Sequence, residues 1–351
     1  MNAAPNSLQP KKKAFALPCI DRLRFILMIF FMIGLFGFPS PIGGYVSIFS
    51  GFAAPAFFII SGYLVLWNAD LRGERIVRTI KRTAIAFFSL LAVYLIINLI
   101  LDVKGTLAAF GSKRFWFSLV VLNSFDLSVG TSIWYVQSLL YAYIIIWGLN
   151  KLKLLRFDWI IMILCFAFSI LSGELAGVTG IRLPWYSYIG SNWLTRALPY
   201  VLLGGLIHRK DELLKRISPV QYVIAAAVGT LSIFAELQLL ISFDVLVYYG
   251  HLFGMGLLAA SVCTLTILHN DPGFLNPVID GIFTGSGINA IYYICEVVYV
   301  GVFFALRSAP DVIFQFIGVI TVIVCIGIVA LYRVVMINIE WKQRLKNQGH
   351  E

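Results

Sequence analysis

Charge is what this sequence has least of. Only 13% of its 351 residues are Asp, Glu, Lys or Arg, against 60% hydrophobic residues, and the mean hydropathy is +0.89. A soluble domain with that balance would leave far too much hydrocarbon against water, so a water-soluble class is excluded. Histidine is scarce as well: His208, His251, His269 and His350 lie in distant segments without ligand spacing, which removes any credible metal site. The five cysteines, Cys19, Cys165, Cys263, Cys295 and Cys325, form no CxxC pair and sit in or beside apolar runs, so they read as small core residues. There is no internal repeat, low-complexity tract or soluble module. No A-x-A type cleavage site follows Lys11, Lys12 and Lys13, so the long apolar stretch after them reads as a span rather than a signal peptide.

What is present is hydrocarbon in runs, with cations between them. The net charge of +10 is carried by short clusters separating apolar segments. That pattern fits loops held against an anionic membrane surface and excludes nucleic acid as a partner. Segments long enough to span, or nearly so, lie at about 23–38, 46–68, 84–101, 133–149, 158–175, 193–207, 219–240, 245–268, 288–306 and 312–334, at ~20 residues per crossing. The expectation is an all-α polytopic membrane protein of about ten transmembrane helices. An even number places both termini on one side. With that side cytoplasmic, 21 of the 27 cations fall in the cytoplasm, and the flipped topology would reverse the bias. The anchor is the run from Gly51, which ends in Arg72, Arg75, Arg78, Lys81 and Arg82.

Two extracytoplasmic connections stand out. Residues 103–132 contain an apolar stretch too short to cross, which lies at the interface or re-enters. Residues 176–192, with Pro184, Trp185, Tyr186 and Tyr188, read as an aromatic belt or as a platform for stacking carbohydrate.

Few ionisable groups fall at membrane depth: Arg24, Glu174, Arg196, Glu236, Asp244, His251 and Glu296. A charge facing lipid at mid-helix costs at least ~2.5 kcal/mol, so such groups face the bundle or a hydrated cavity, and are functional candidates by default. Glu174, Glu236 and Asp244 are close enough to the extracytoplasmic surface to snorkel. Arg24, three residues after Asp21, is either one more positive-inside anchor or a bidentate grip for a phosphate at the membrane mouth.

Several stretches resemble one family. Ile20-Asp21-Arg22-Leu23-Arg24 is similar to the "DGLR" entry of the acyltransferase-3 membrane proteins, and Phe57-Phe58-Ile59-Ile60-Ser61-Gly62-Tyr63-Leu64 closely matches their "FFxxSGYL" helix end. The basic exit at 72–82 falls where the family carries "RRxxRxxP". Ile133-Trp134-Tyr135 resembles its "WYL" helix, Arg196 to Gly205 its "R-x-x-x-F-x-x-G" helix, and Ser286 to Glu296 its "SYxIYLxH" helix. The motifs occur in order along the whole chain.

The resemblance implies ten helices at 15–335, between basic cytoplasmic tails at 1–14 and 336–351. It also implies transfer of an acyl group, commonly acetyl, from a cytoplasmic acyl-coenzyme A to a cell-envelope glycan such as an exopolysaccharide, in a bacterial inner membrane, with no tightly bound cofactor. Two positions depart from the family: the histidine that follows the first-helix Arg is Leu35 here, and the histidine of "YLxH" is Glu296. Leucine cannot transfer a proton. Three readings follow. In the first, the base is relocated to Glu296 or His251, with Arg24, Arg75, Arg78 and Arg82 holding the donor and Trp134, Tyr135, Arg196 and Tyr293 lining the tunnel. In the second, the chain binds or moves a lipid-linked oligosaccharide without chemistry. In the third, it is a non-catalytic partner of polysaccharide-assembly proteins. Membrane lipids are partners in all three.

The topology is testable by thiol labelling in intact cells. An impermeant reagent should reach Lys113→Cys and leave Lys12→Cys unlabelled until the cells are lysed; the opposite pattern would invert the orientation.

Overall fold

A chain inside a bilayer has no water to satisfy its N–H and C=O groups, so it must close its hydrogen bonds within helices. The computed structural model of this protein does so. It describes residues 18–66, 72–172, 192–242, 253–269 and 285–348, and these contain helices and no strand. In chain order the main elements are α1 (Pro18–Phe36), α2 (Gly43–Ser50), α3 (Ala53–Val65), α4 (Arg72–Leu101), α5 (Val103–Gly111), α6 (Lys113–Phe117), α7 (Ile133–Lys151), α8 (Asp158–Ser172), α9 (Leu198–Arg209), α10 (Pro219–Ser242), α11 (Phe253–His269), α12 (Gly285–Leu306) and α13 (Ile317–Gln348).

Six stretches are long and apolar enough to cross a membrane: Gly43–Val65 through α2 and α3, Glu74–Leu101 in α4, Leu154–Leu171 through α8, and Pro219–Ser242, Gly287–Leu306 and Ile317–Met336 in α10, α12 and α13. This is a multi-pass membrane protein, with six such spans among the described residues where the sequence led us to expect ten. The other four expected spans correspond to α1, α7, α9 and α11. Asp21, Arg22 and Arg24 interrupt α1, and Gln137, Ser138 and Asn150 interrupt α7, while α9 has 12 residues and α11 has 17. The lipid-facing surface is made of large aliphatic side chains such as Ile100, 76% exposed, and Leu231, 69% exposed, a surface that water would not tolerate.

Two boundaries differ from the sequence reading. The cations at 72–82 form the first turns of α4 rather than a loop, because Arg and Lys are good helix formers and the helix continues beyond its apolar part. The final span begins at Ile317, and α13 carries the basic tail as helix to Gln348.

At the centre stands α3. Within the stretch that includes it, 72% of residues are buried, against 22% in the spanning part of α4. It packs on α9 at backbone distance. A Cβ on Gly62 would lie 2.0 Å from the Val201 carbonyl oxygen, and one on Gly204 would lie 2.0 Å from the Ile59 oxygen. Small residues on both helices thus let two backbones touch, which is how membrane helices gain packing without a hydrophobic driving force. Around this pair α1, α7, α11 and α12 complete the inner bundle, and α4 packs on α7. The Arg209 guanidinium donates to Asp158, tying the end of α9 to the start of α8.

Residues 103–132 fold back against the bundle, with Phe115, Asn123, Phe125 and Ser132 buried. Asp102 caps α5 by accepting from Gly105 N at 2.9 Å, and Ser112 caps α6 by accepting from Arg114 N at 3.2 Å. A π-helical turn over Ser118–Leu122 ends at Asn123, which is left-handed with φ 61°. The chain then passes into the bundle without regular structure. Backbone of this kind survives at depth only when protein groups satisfy it. Asn98 does so for Val129, donating to its carbonyl at 2.7 Å and accepting from its N–H at 3.1 Å. The aromatic connection expected at 176–192 lies almost wholly outside the described residues; Trp193, just after it, meets Tyr141 edge-on.

Gly62→Val should leave little folded protein on size exclusion, at a cost at or above the ~1–3 kcal/mol typical of overpacking. Gly148→Ala, where an added Cβ meets nothing within 4 Å, should raise the melting temperature slightly, through a gain of ~0.5–1 kcal/mol.

Candidate functional site

Five helices converge on a cavity of about 250 Å³. Its charged rim comes from Arg24, the seventh residue of α1, and Arg82, the eleventh of α4. Arg24 is held in place from two sides: its guanidinium donates to Asn289 Oδ1 on α12 at 2.8 Å and to Asp21 Oδ1 at 3.2 Å. With its side chain 19% exposed, it is neither buried in packing nor loose on the surface. Deeper along each helix the lining turns apolar and aromatic: Met28 and Phe31 on α1, Phe57 on α3, Tyr135 on α7, Tyr292 and Tyr293 on α12. Ser61 also lines the cavity, one turn from Phe57 on the same face of α3.

The expected site residues divide into five groups. Arg24, Arg82, Tyr135 and Tyr293 share the cavity. Arg75 and Arg78 do not line it, but they precede Arg82 by seven and four residues and so stand on its face of α4, leading outward from the rim. Trp134 and Arg196 form a separate pair, with the Arg196 guanidinium 5.6 Å from the Trp134 ring centroid. They do not contribute to the lining, because neighbouring helix positions point in different directions and Trp134 turns away when Tyr135 turns in. Arg196 sits in a π-helical turn over Trp193–Ala197 and is 7% exposed. His251, Glu174 and Asp244 lie outside the described residues.

Glu296 belongs to another structure. It is 3% exposed and absent from the cavity lining. Its carboxylate accepts from the backbone N–H groups of Gly130 and Ser132 and, at 3.1 Å, from the Thr131 hydroxyl. Tyr292, one turn earlier, donates to the Ser132 carbonyl at 2.6 Å, and the Tyr94 and Ser132 hydroxyls share a hydrogen bond at 3.2 Å. Glu296 therefore clamps residues 130–132, at the start of α7, to α12, and the dipole of α7 also favours an anion there. The carboxylate expected as a candidate base is thus committed to three donors and does not line the cavity. Glu236, expected to snorkel, accepts from Gly254 N at 3.2 Å and caps α11.

Leu35, where the resembling family has histidine, is partly buried against the core and outside the lining. Among the described residues the lining thus contains cations, hydroxyls, an amide and rings, with no carboxylate and no imidazole. Chemically it can hold an anion at its mouth, polarise a carbonyl and seat an apolar end. Sequence reasoning missed Asn289, Ser61, Met28 and Phe31 as site residues. For the last two a signal existed, since they follow Arg24 by four and seven residues and share its face; for Asn289 there was none.

A family model described as an acyltransferase domain matches residues 17–332. Neither a curated protein nor a solved structure matches the chain.

Glu296→Gln would turn an amide N–H₂ toward backbone donors. It should lower the melting temperature of the purified protein, by about 1–3 kcal/mol of stability. A loss of activity with unchanged melting would instead return Glu296 to the role of base.

Proposed function

Since the chain belongs to the acyltransferase-3 family, whose domain performs membrane acyl transfer, we propose that it O-acylates an exopolysaccharide or other envelope glycan, with acyl-coenzyme A as donor and acetyl as the acyl group. The observation that carries this reading is the pairing of two guanidiniums, Arg24 and Arg82, at the mouth of a cavity whose interior is apolar. Guanidinium is suited to bidentate binding of phosphate. Arg75 and Arg78 extend the same basic face along α4 for ~10 Å at 1.5 Å per residue, a length on which the phosphates of a coenzyme can be drawn toward the rim. The surroundings proposed for it are a bacterial inner membrane crossed ten times, with both basic ends cytoplasmic.

A cavity of about 250 Å³ is smaller than the ~300–1,000 Å³ that enclose drug-sized ligands. It therefore takes only the reactive end of the donor. In this reading the Arg24 guanidinium and the Asn289 amide meet the thioester carbonyl as it develops negative charge, while Arg75, Arg78 and Arg82 hold the phosphates; stabilising that charge is the largest contribution such a site can make. The acceptor hydroxyl oxygen forms the new ester bond as the carbon–sulfur bond breaks, and the hydroxyl proton ends on the released thiol. With Glu296 committed to its clamp, His251 is the base we propose.

One observation favours a second reading: among the described residues the lining has no carboxylate or imidazole, and Leu35 stands where the family has histidine. A chain that binds or exports a lipid-linked or secreted polysaccharide, alone or beside assembly proteins, needs neither group.

Purified protein given radiolabelled acetyl-coenzyme A and the glycan of its host separates the two. Acyl transfer predicts label in the glycan. Arg24→Ala should weaken donor binding by about 10-fold or more, the value of one charge-assisted hydrogen bond, and His251→Gln should abolish transfer while leaving donor binding intact. No label, together with glycan retained inside a deletion strain, would establish export instead.

A further inference from the structure

The floor of the cavity is built differently from its mouth. On α1, Arg24 and Phe31 are seven residues apart, ~10 Å along a helix, with Met28 between them, all three on the lining. The polarity falls in the same sense along α3 from Ser61 to Phe57, along α4 from Arg82 to Ala86, and along α12 from Asn289 to Tyr292. Four rings meet at the deep end. Phe31 lies 6.2 Å from Phe57, 5.7 Å from Tyr135 and 5.8 Å from Tyr292, and Tyr135 lies 5.9 Å from Phe57 and 5.6 Å from Tyr292. All five distances are those of favourable ring pairs.

These rings are not free to swing aside. The Tyr292 hydroxyl is tied to the Ser132 carbonyl at 2.6 Å, and Tyr135 is backed at 4.9 Å by Phe58, which is 0% exposed. Interiors packed in this way do not yield to an added methylene without displacing side chains. Resting on the donor reading above, we propose that Phe31, Phe57, Tyr135 and Tyr292 gauge the acyl group: the cavity admits a short acyl chain on a thioester and excludes a long one. The glycan acceptor and the coenzyme play no part in this selection. It is set by the distance from the arginine rim to the aromatic floor.

The test uses the full chain in lipid nanodiscs, with coenzyme A and its acetyl, butanoyl and octanoyl thioesters competing for binding. Wild type should bind the acetyl thioester ~10-fold or more tightly than the octanoyl one, the discrimination a hydrophobic pocket achieves per misfitting group. Phe57→Ala and Phe31→Ala, which open the floor, should bring the two within a few-fold of each other. Ala86→Leu, which adds bulk without removing a packed ring, should weaken butanoyl binding before acetyl and covers the case in which the ring deletions fail to fold. Equal binding of all chain lengths by wild type, or an unchanged ratio in folded Phe57→Ala or Ala86→Leu protein, would overturn the gauge while leaving the donor reading in place. If neither coenzyme A nor any thioester binds, the donor reading falls and the gauge falls with it.

Discussion

The contact on which the rest of the bundle depends is backbone against backbone, where α3 meets α9 through Gly62 and Gly204. Hydrocarbon tails are as apolar as leucine, so a membrane helix gains nothing by hiding side chains from lipid and must gain by packing. Two glycines at one crossing allow the closest packing available. Their consequence is positional: with α3 fixed on α9, one flank of α3 turns Phe57 and Ser61 into the cavity, and Phe58 goes to the Trp134 side. The glycine pair and the site are thus two faces of one helix.

The scarce charges have separate fates. Arg24 and Glu296 both lie in the spanning region, and both would be costly against lipid. Arg24 stands near the beginning of its helix and keeps part of its side chain in contact with the cavity, supported by Asn289 and Asp21. Glu296 lies halfway along α12, 3% exposed, and its charge is met by the donors of residues 130–132 in the segment that precedes α7. That segment in turn needs Glu296, Asn98 and Tyr292 to satisfy its irregular backbone. The clamp fixes the start of α7, and the start of α7 fixes Tyr135 in the cavity wall. Glu296 is thus linked to the cavity wall through the start of α7 and Tyr135.

The cavity combines two kinds of recognition that are usually found apart. Its rim is electrostatic and suited to a phosphorylated donor; its floor is steric and set by close-packed rings. The described lining residues, which include no imidazole or carboxylate, can contribute positioning and charge stabilisation.

By itself the sequence determined that this chain lives in a membrane, that it is helical, which family it belongs to, and which cations can lie at a mouth. These follow from composition, run length and short motifs, all local quantities that the bilayer makes decisive. Arg24 could be read as a site residue because a guanidinium at a helix start is conspicuous in an apolar chain, and Met28 and Phe31 could have been read from helical spacing. Only the tertiary structure decided the rest. It separated Trp134 and Arg196 from Tyr135, made the cations at 72–82 part of a helix, and gave Glu296 a clamp rather than a proton. It also brought Asn289 to Arg24 across 265 positions of sequence. The physical reason is that a buried polar group is defined by its partners, and those partners come from segments whose meeting no local pattern records.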